Sequence, residues 1–143
     1  MASNNYKSPC LYFNLRKAAR LMGLVYDRHF RQIGLRGTQY SLLMAIERLE
    51  GPSVGELSEA LGLEQSTVTR NIELLIQKCY VESNSDVSDS RRRILAVSRT
   101  GRDKITEAGP VWEAAQKELI SRLGEKDTTK LIKMMDKLIE ALD

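Results

Sequence analysis

A single histidine, His29, stands among 143 residues, beside two cysteines, three prolines and an aromatic content of only 6%. That poverty argues against a histidine-built metal site and against a Ser-His-Asp hydrolase. Cys10 and Cys79 lie far apart and match no metal-ligand spacing, so they read as the free thiols of a cytosolic chain. No glycine-rich phosphate loop is present, and no cluster of His, Cys, Asp or Glu, so neither an enzyme nor a cofactor is expected. No apolar run approaches the ~20 residues that cross a bilayer. The segment from Met1 to Pro9 is polar and lacks the apolar stretch of a signal peptide. The expectation is a cytoplasmic protein with no membrane association.

What is there suits one ordinary domain: 42% hydrophobic residues supply a core and 29% charged residues a solvated surface. The net charge of +3 says little by itself, but its distribution says more. Ser90-Arg91-Arg92-Arg93 lies in a polar segment, and Arg99, Arg102 and Lys104 follow soon after. Local clustering, not total charge, makes an electrostatic footprint for nucleic acid.

Apolar periodicity orders the chain. Leu11, Leu15, Ala18, Met22, Val25, His29 and Ile33 fall on one helix face, opened near Pro9 and ended by Gly34. His29 on that face reads as a satisfied, partly buried side chain. A second helix is expected from an N-cap at Thr38 to Leu49, before the Glu50-Gly51-Pro52 turn. Val54 to Leu61 follows, with Ser53 and Glu56 as a capping box. Gly62-Leu63 is a turn. Gln65 to Lys78 is a further helix with Val68, Ile72, Leu75 and Ile76 inward. Tyr80 to Asn84 and Arg93 to Val97 read as strands of a hairpin around a polar loop. A long helix opens at Thr100-Gly101 and reaches Leu123, with Pro110 expected to kink or split it. The last helix should follow Asp127, with Leu131, Met134, Met135, Leu138 and Leu142 on one stripe. The fold class is therefore mainly α with a small β wing.

A short helix, a glycine turn and a second helix make a helix-turn-helix. The outer face of the second helix carries Gln65, Ser66, Thr67, Thr69, Arg70 and Asn71. Gln and Asn pair bidentately with adenine and Arg with guanine, while Ser and Thr reach phosphates or bases. The hairpin then reads as a wing. A B-DNA minor groove is about 6 Å wide and admits a thin loop tipped with arginine. Arg91, just past the loop centre, suits that place. Asp89 is close enough to orient it by a salt bridge, and Arg92 and Arg93 would face phosphates or turn sideways.

At this point the chain resembles the MarR family of bacterial regulators over nearly its whole length. The similarity is carried by Gly34-Leu35-Arg36-Gly37-Thr38-Gln39-Tyr40-Ser41-Leu42-Leu43, by Leu57 to Asn71, and by Asp86-Val87-Ser88-Asp89-Ser90-Arg91. The last looks like the family's Asp-x-Arg-Asp-x-Arg wing signature with Ser88 where arginine is usual. Val97-Ser98-Arg99-Thr100-Gly101 resembles the segment after the wing. The resemblance implies a homodimer, with residues 9–33 and 103–143 forming intertwined dimerisation helices. Residues 38–99 would form the winged helix-turn-helix, with its recognition helix at 65–78 and wing at 80–97. The recognition helices of such a dimer would meet a pseudo-palindromic double-stranded DNA operator, roughly 10 bp apart. Two departures stand out: Glu64 is a poorer N-cap than the family's Asp or Ser, and Cys79 replaces a glycine before the strand.

The resemblance also implies a repressor released by a small aromatic or phenolic ligand bound between the dimerisation helices and the winged part. By position, Tyr12, Arg16, Tyr26, His29 and Arg36 would line that pocket. One subgroup senses organic hydroperoxides through a cysteine near the start of the first helix, where Cys10 lies, which makes a peroxide-sensing regulator one alternative. A winged-helix protein-interaction module without DNA readout is the other, and the polar face from Gln65 to Asn71 counts against it.

Overall fold

A computed structural model describes residues 6–143, so the first five residues of the polar N-terminal segment lie outside the described residues. The chain runs α1 (Leu11–Phe30), a 3-10 turn (Arg31–Ile33), α2 (Gly37–Leu49), α3 (Val54–Leu61), α4 (Gln65–Gln77), β1 (Val81–Ser85), β2 (Arg93–Val97), α5 (Arg99–Leu123) and α6 (Glu125–Leu142). This is a mainly helical fold with one two-stranded sheet, the order that the periodicity implies. Among the described residues no helix is long and apolar enough to cross a membrane, and no group of three or more His, Cys, Asp or Glu side chains could hold a metal ion.

The core forms where the short helices stack beneath the end of α1. Phe30, Leu42, Leu43, Leu57, Val68 and Leu75 are fully buried, and Val81, Leu95 and Val97 bring the sheet's inner face onto them. The Phe30 ring sits 5.1 Å from that of Tyr40, tying α1 to α2. Along α4 the buried stripe is Val68, Ile72 and Leu75. Ile76 lies on the flank and is 38% exposed, against the expectation that it points inward. The reason is the helical turn: the next residue after Leu75 swings out of a stripe spaced by four and three.

Several boundaries differ from the sequence reading. Helix α2 starts at Gly37 with Arg36 in the extended N-cap place, not at Thr38. A distant partner decides this: the Gly37 N–H donates to Asp27 Oδ1 of α1 at 3.0 Å, and the Arg36 N–H donates to Gln39 Oε1 at 3.1 Å. Helix α5 is capped by Ser98, whose Oγ accepts the Gly101 N–H, so it opens before Thr100. It continues through Pro110 without splitting. Gly109 precedes the proline and has no Cβ for the ring to strike, which removes one obstacle to helical backbone there. Helix α6 begins at Glu125 directly after Gly124, earlier than Asp127. The first strand starts at Val81, because the Tyr80 N–H is spent on Leu75 O in capping α4.

The long helices differ from the short ones in what they cover. Helix α6 has no buried residue, and Met134, Ile139 and Leu142 are at least 62% exposed. Leu11 and Tyr12 of α1 are equally open. Within the chain α1 meets α5 through polar links. Tyr26 Oη donates to Gln116 Oε1 at 2.7 Å, and Glu118 gathers Arg28, His29 and Arg122.

The hydrogen bonds from Arg28, and then from His29, hold the Glu118 carboxyl down to about 2 from an ordinary 4.5. A carboxylate with a depressed folded value contributes stability that is complete above its unfolded value and lost as pH falls through its folded value. Urea midpoints should therefore fall between pH 4.5 and about 2, and Glu118→Gln should flatten the curve across that window. A second expectation concerns Gly101, where a Cβ would stand 2.1 Å from Tyr80 O and 2.7 Å from Val97 Cγ1. Backbone cannot yield there, so Gly101→Ala should destabilise by about 2 kcal/mol in urea unfolding despite alanine's better helix propensity.

Candidate nucleic-acid interface

The two helices of the helix-turn-helix are set by local chemistry. Ser53 Oγ accepts the Glu56 N–H at 3.1 Å, and Glu56 Oε2 accepts the Ser53 N–H at 3.2 Å. This is the capping box expected from the spacing. Gly62 takes φ +61° at the end of α3, and Leu63 N–H reaches back to Ser58 O at 3.1 Å. The chain thus turns in two residues and enters α4. Val68, expected to point inward, is wholly buried in the core cluster with Leu57 of α3. Glu64 occupies the N-cap of α4 without a side-chain cap, as its residue type suggested.

Burial divides the candidate recognition residues. Gln65, Ser66 and Arg70 are exposed, whereas Thr67, Thr69 and Asn71 are half-buried along the flanks. Ser66 and Arg70 lie most directly opposite the buried stripe. Asn71 Nδ2 donates to Thr67 O at 3.0 Å, which ties its amide to its own helix. Glu73 and Gln77 share the outward face and were not singled out by the sequence pattern, because their types also suit any solvated helix.

At its far end α4 closes in a left-handed turn. Cys79 has φ +62°, with its N–H on Ile76 O and that of Tyr80 on Leu75 O, both at 2.9 Å. The cysteine accepts the backbone that glycine would take freely, and its thiol is exposed.

The wing is an antiparallel pair in the register Val81↔Val97 to Ser85↔Arg93, with its tip at 86–92. The tip is closed by its own backbone: Asp86 N–H to Arg92 O at 2.8 Å and Arg92 N–H to Asp89 O at 3.0 Å. Asp89 does not form the expected salt bridge with Arg91. Its Oδ1 accepts the Arg91 backbone N–H at 3.0 Å instead, because a carboxylate two residues back reaches the main chain before the guanidinium. Asp86 Oδ1 accepts from both the N–H and the hydroxyl of Ser88. These bonds, followed by Arg92, hold the Asp86 carboxyl below its ordinary range.

The three successive arginines have different surroundings. Arg93 Nη2 donates to Ser83 O at 2.9 Å and its Nη1 to Ser85 Oγ at 3.2 Å, across the hairpin. Arg92 pairs with Asp86 at 3.2 Å and with Glu56 of α3. Among the described residues the Arg91 guanidinium has no ion-pair or hydrogen-bond partner, and its side chain is exposed at the tip. Val87, on the same tip, is fully exposed. The basic residues after the wing do not extend this patch as one surface. Arg102 donates to Val97 O, and Lys104, only 16% exposed, donates to Ile33 O and pairs with Glu107.

The five candidate pocket residues are scattered. Tyr12 and Arg16 stack on each other near the open end of α1, the guanidinium 5.4 Å from the ring centre. His29 is bound to Glu118, and Arg36 lies at the α1–α2 junction beside Arg31 and Lys78. Tyr26 lines a cavity of about 290 Å³ with Phe30, Thr38, Tyr40 and Trp112. A second cavity of about 570 Å³, lined by Tyr40, Met44, Arg48, Leu61 and Trp112, shares that aromatic wall. Neither Tyr40 nor Trp112 is among the residues expected at the pocket, since nothing in a linear pattern says that α2 and α5 meet there. Cys10 is exposed at the N-cap of α1, its N–H on Ser8 Oγ at 3.1 Å.

Cys79→Gly should relieve the left-handed turn and stabilise the fold by about 1 kcal/mol in urea unfolding, with far-UV dichroism unchanged.

Comparison with known proteins agrees with this geometry. The family profile described as MarR family matches residues 33–92. SarZ of Staphylococcus epidermidis, an HTH-type transcriptional regulator, is 29% identical over 100 residues, 70% of this chain and 68% of its own. The transcriptional regulator MosR of M. tuberculosis, solved in complex with DNA, is 30% identical, superposes with a TM-score of 0.77 and is covered over 98% of its length by 93% of this chain. Bordetella bronchiseptica BpsR, whose structure concerns regulation of DNA binding by 6-hydroxynicotinic acid, shares the fold at 20% identity and a TM-score of 0.82, over 93% of this chain and 95% of that one. With the helix-turn-helix, the wing and a full-length relative in agreement, the chain belongs to the MarR family of DNA-binding transcription regulators.

Proposed function

We propose that this regulator binds a pseudo-palindromic double-stranded operator as a homodimer, reading the major groove with α4 and the minor groove with Arg91. The observation that carries this is the pairing of two exposed elements on one winged unit. One is the outward face of α4 bearing Gln65, Ser66 and Arg70, and the other is a wing tip whose Arg91 guanidinium has no partner among the described residues. Thr67, Thr69 and Asn71 border that face and supply hydroxyl and amide contacts at its edges. Asp89 shapes the tip by holding the Arg91 backbone.

The domain division follows. Residues 38–99 form the winged helix-turn-helix, and residues 9–33 with 103–143 form the dimerisation helices. The exposed apolar side chains of α1 and α6 support a second copy as their cover, since a lone chain leaves them in water. Cytoplasmic residence and the lack of catalytic activity follow from the same regulatory role. Repression would come from occupying the operator. Release by a small aromatic or phenolic ligand is supported by the Tyr40–Trp112 cavities, where Arg48 offers a cation to an anionic ring compound. MosR was solved with DNA and the BpsR work concerns a hydroxylated aromatic acid, and both precedents point the same way.

The test is fluorescence anisotropy of the full chain against a duplex it enriches from a random pool, at several salt concentrations. Tight binding displaced only by competitor carrying the same site is expected. Arg91→Ala should weaken it by about tenfold or more. Arg70→Glu should abolish specific binding while sedimentation still shows a dimer. Binding indifferent to sequence, or an unchanged affinity for Arg91→Ala, would overturn the assignment.

A further inference from the structure

The wing is pinned to the body of the protein at one charged point. Arg92 lies between the carboxylates of Asp86, on the wing, and Glu56, on the first turn of α3. Its backbone closes the tip as well, donating to Asp89 O and accepting from Asp86 N–H. Glu56 belongs at the same time to the capping box with Ser53. The neighbouring strand is held by the same loop, since Leu95 N–H donates to Pro52 O at 2.9 Å. The charge of a guanidinium held by two carboxylates is offset and some of its five N–H donors are already used, so it offers a phosphate less than Arg91, which has no partner among the described residues.

We propose that Arg92 is a positioning residue and not a DNA contact: with Glu56 and Asp86 it latches the wing to α3, fixing where Arg91 enters the groove relative to α4. Among the described residues the wing then presents Arg91 without a partner, while Arg93 keeps its charge but is tethered to the hairpin by Ser83 and Ser85. The role rests on the DNA-binding reading above, but the latch itself can be measured without DNA.

Glu56→Gln is the informative variant. Glutamine serves in a capping box as glutamate does, so the start of α3 survives while the ion pair loses its charge. The change also removes a negative charge beside the wing. A purely electrostatic effect would tighten DNA binding, whereas loss of the latch weakens it. A phosphate contact has a further signature, because each one lost reduces the slope of log affinity against log salt by about 0.9.

The experiment uses the full chain and the duplex it enriches from a random pool. Glu56→Gln and Arg92→Ala should each weaken binding about five- to tenfold, with the salt slope of the unaltered protein retained. Arg92→Lys should recover part of the loss, and the double variant should be no worse than the worse single one. Arg91→Ala alone should lower the slope. In the absence of DNA, both latch variants should speed amide exchange at Asp86 and Arg92 while Glu56 N–H stays protected by its cap. A slope reduced by about one in Arg92→Ala, with Glu56→Gln binding as tightly as the unaltered protein or more so, would overturn the proposal and make Arg92 a phosphate contact. Unchanged affinity or unchanged exchange in both variants would overturn it equally. If the unaltered chain enriches no sequence, the DNA reading fails, and the exchange rates still decide whether the latch exists.

Discussion

The close approach of the first turn of α5 to the backbone of Tyr80 is the constraint on which the geometry of the interface depends. Ser98 Oγ donates to Cys79 O, Ser98 N–H to Tyr80 O, and Gly101 leaves no room for a side chain against the same carbonyl. The end of α4, the base of the wing and the start of α5 are thereby joined within a few residues. A shift of α5 must move α4 and the wing together, since packed backbone does not stretch. That junction sets the spacing between the two exposed surfaces proposed to read DNA. It also connects the winged unit to the long helices that carry the uncovered apolar surface.

Electrostatics divides labour within a small stretch of chain. Three consecutive arginines would repel one another if all pointed at the same space, and the fold separates them. Arg93 is taken by the hairpin and Arg92 by two carboxylates, so Arg91 is presented alone. Lys104 and Arg102 likewise spend their charge on carbonyls at the junctions.

The long helices follow another rule. Within the chain α1 and α5 are joined by polar links through Tyr26, Gln116 and the Glu118 cluster beside buried Ala108 and Ala115, while leucines, methionines and isoleucines of α1 and α6 face outward. Such a distribution suits helices whose apolar side is completed by another copy. The aromatic cavities between α2 and α5 lie where the winged unit meets these helices. A ligand bound there would act on the relation between the two parts and not on the DNA-facing residues.

The sequence by itself determined the order and type of the elements, the Ser53–Glu56 capping box, the Gly62 turn, the buried stripe of Val68, Ile72 and Leu75, and the polar face of α4. Each of these depends on neighbours within about one or two helical turns, and that range is what periodicity and capping preferences record. Even the strained Cys79 turn was legible, since the helix stop fell where glycine would serve better. Tertiary structure alone decided the rest. Asp27 set the start of α2 from another helix, Glu56 captured Arg92 across 36 residues, and the five residues expected to share one pocket were distributed over separate sites. Long-range partners compete for the same side chains that local patterns assign to solvent or ligand. The winner depends on distances that exist only once the chain has folded.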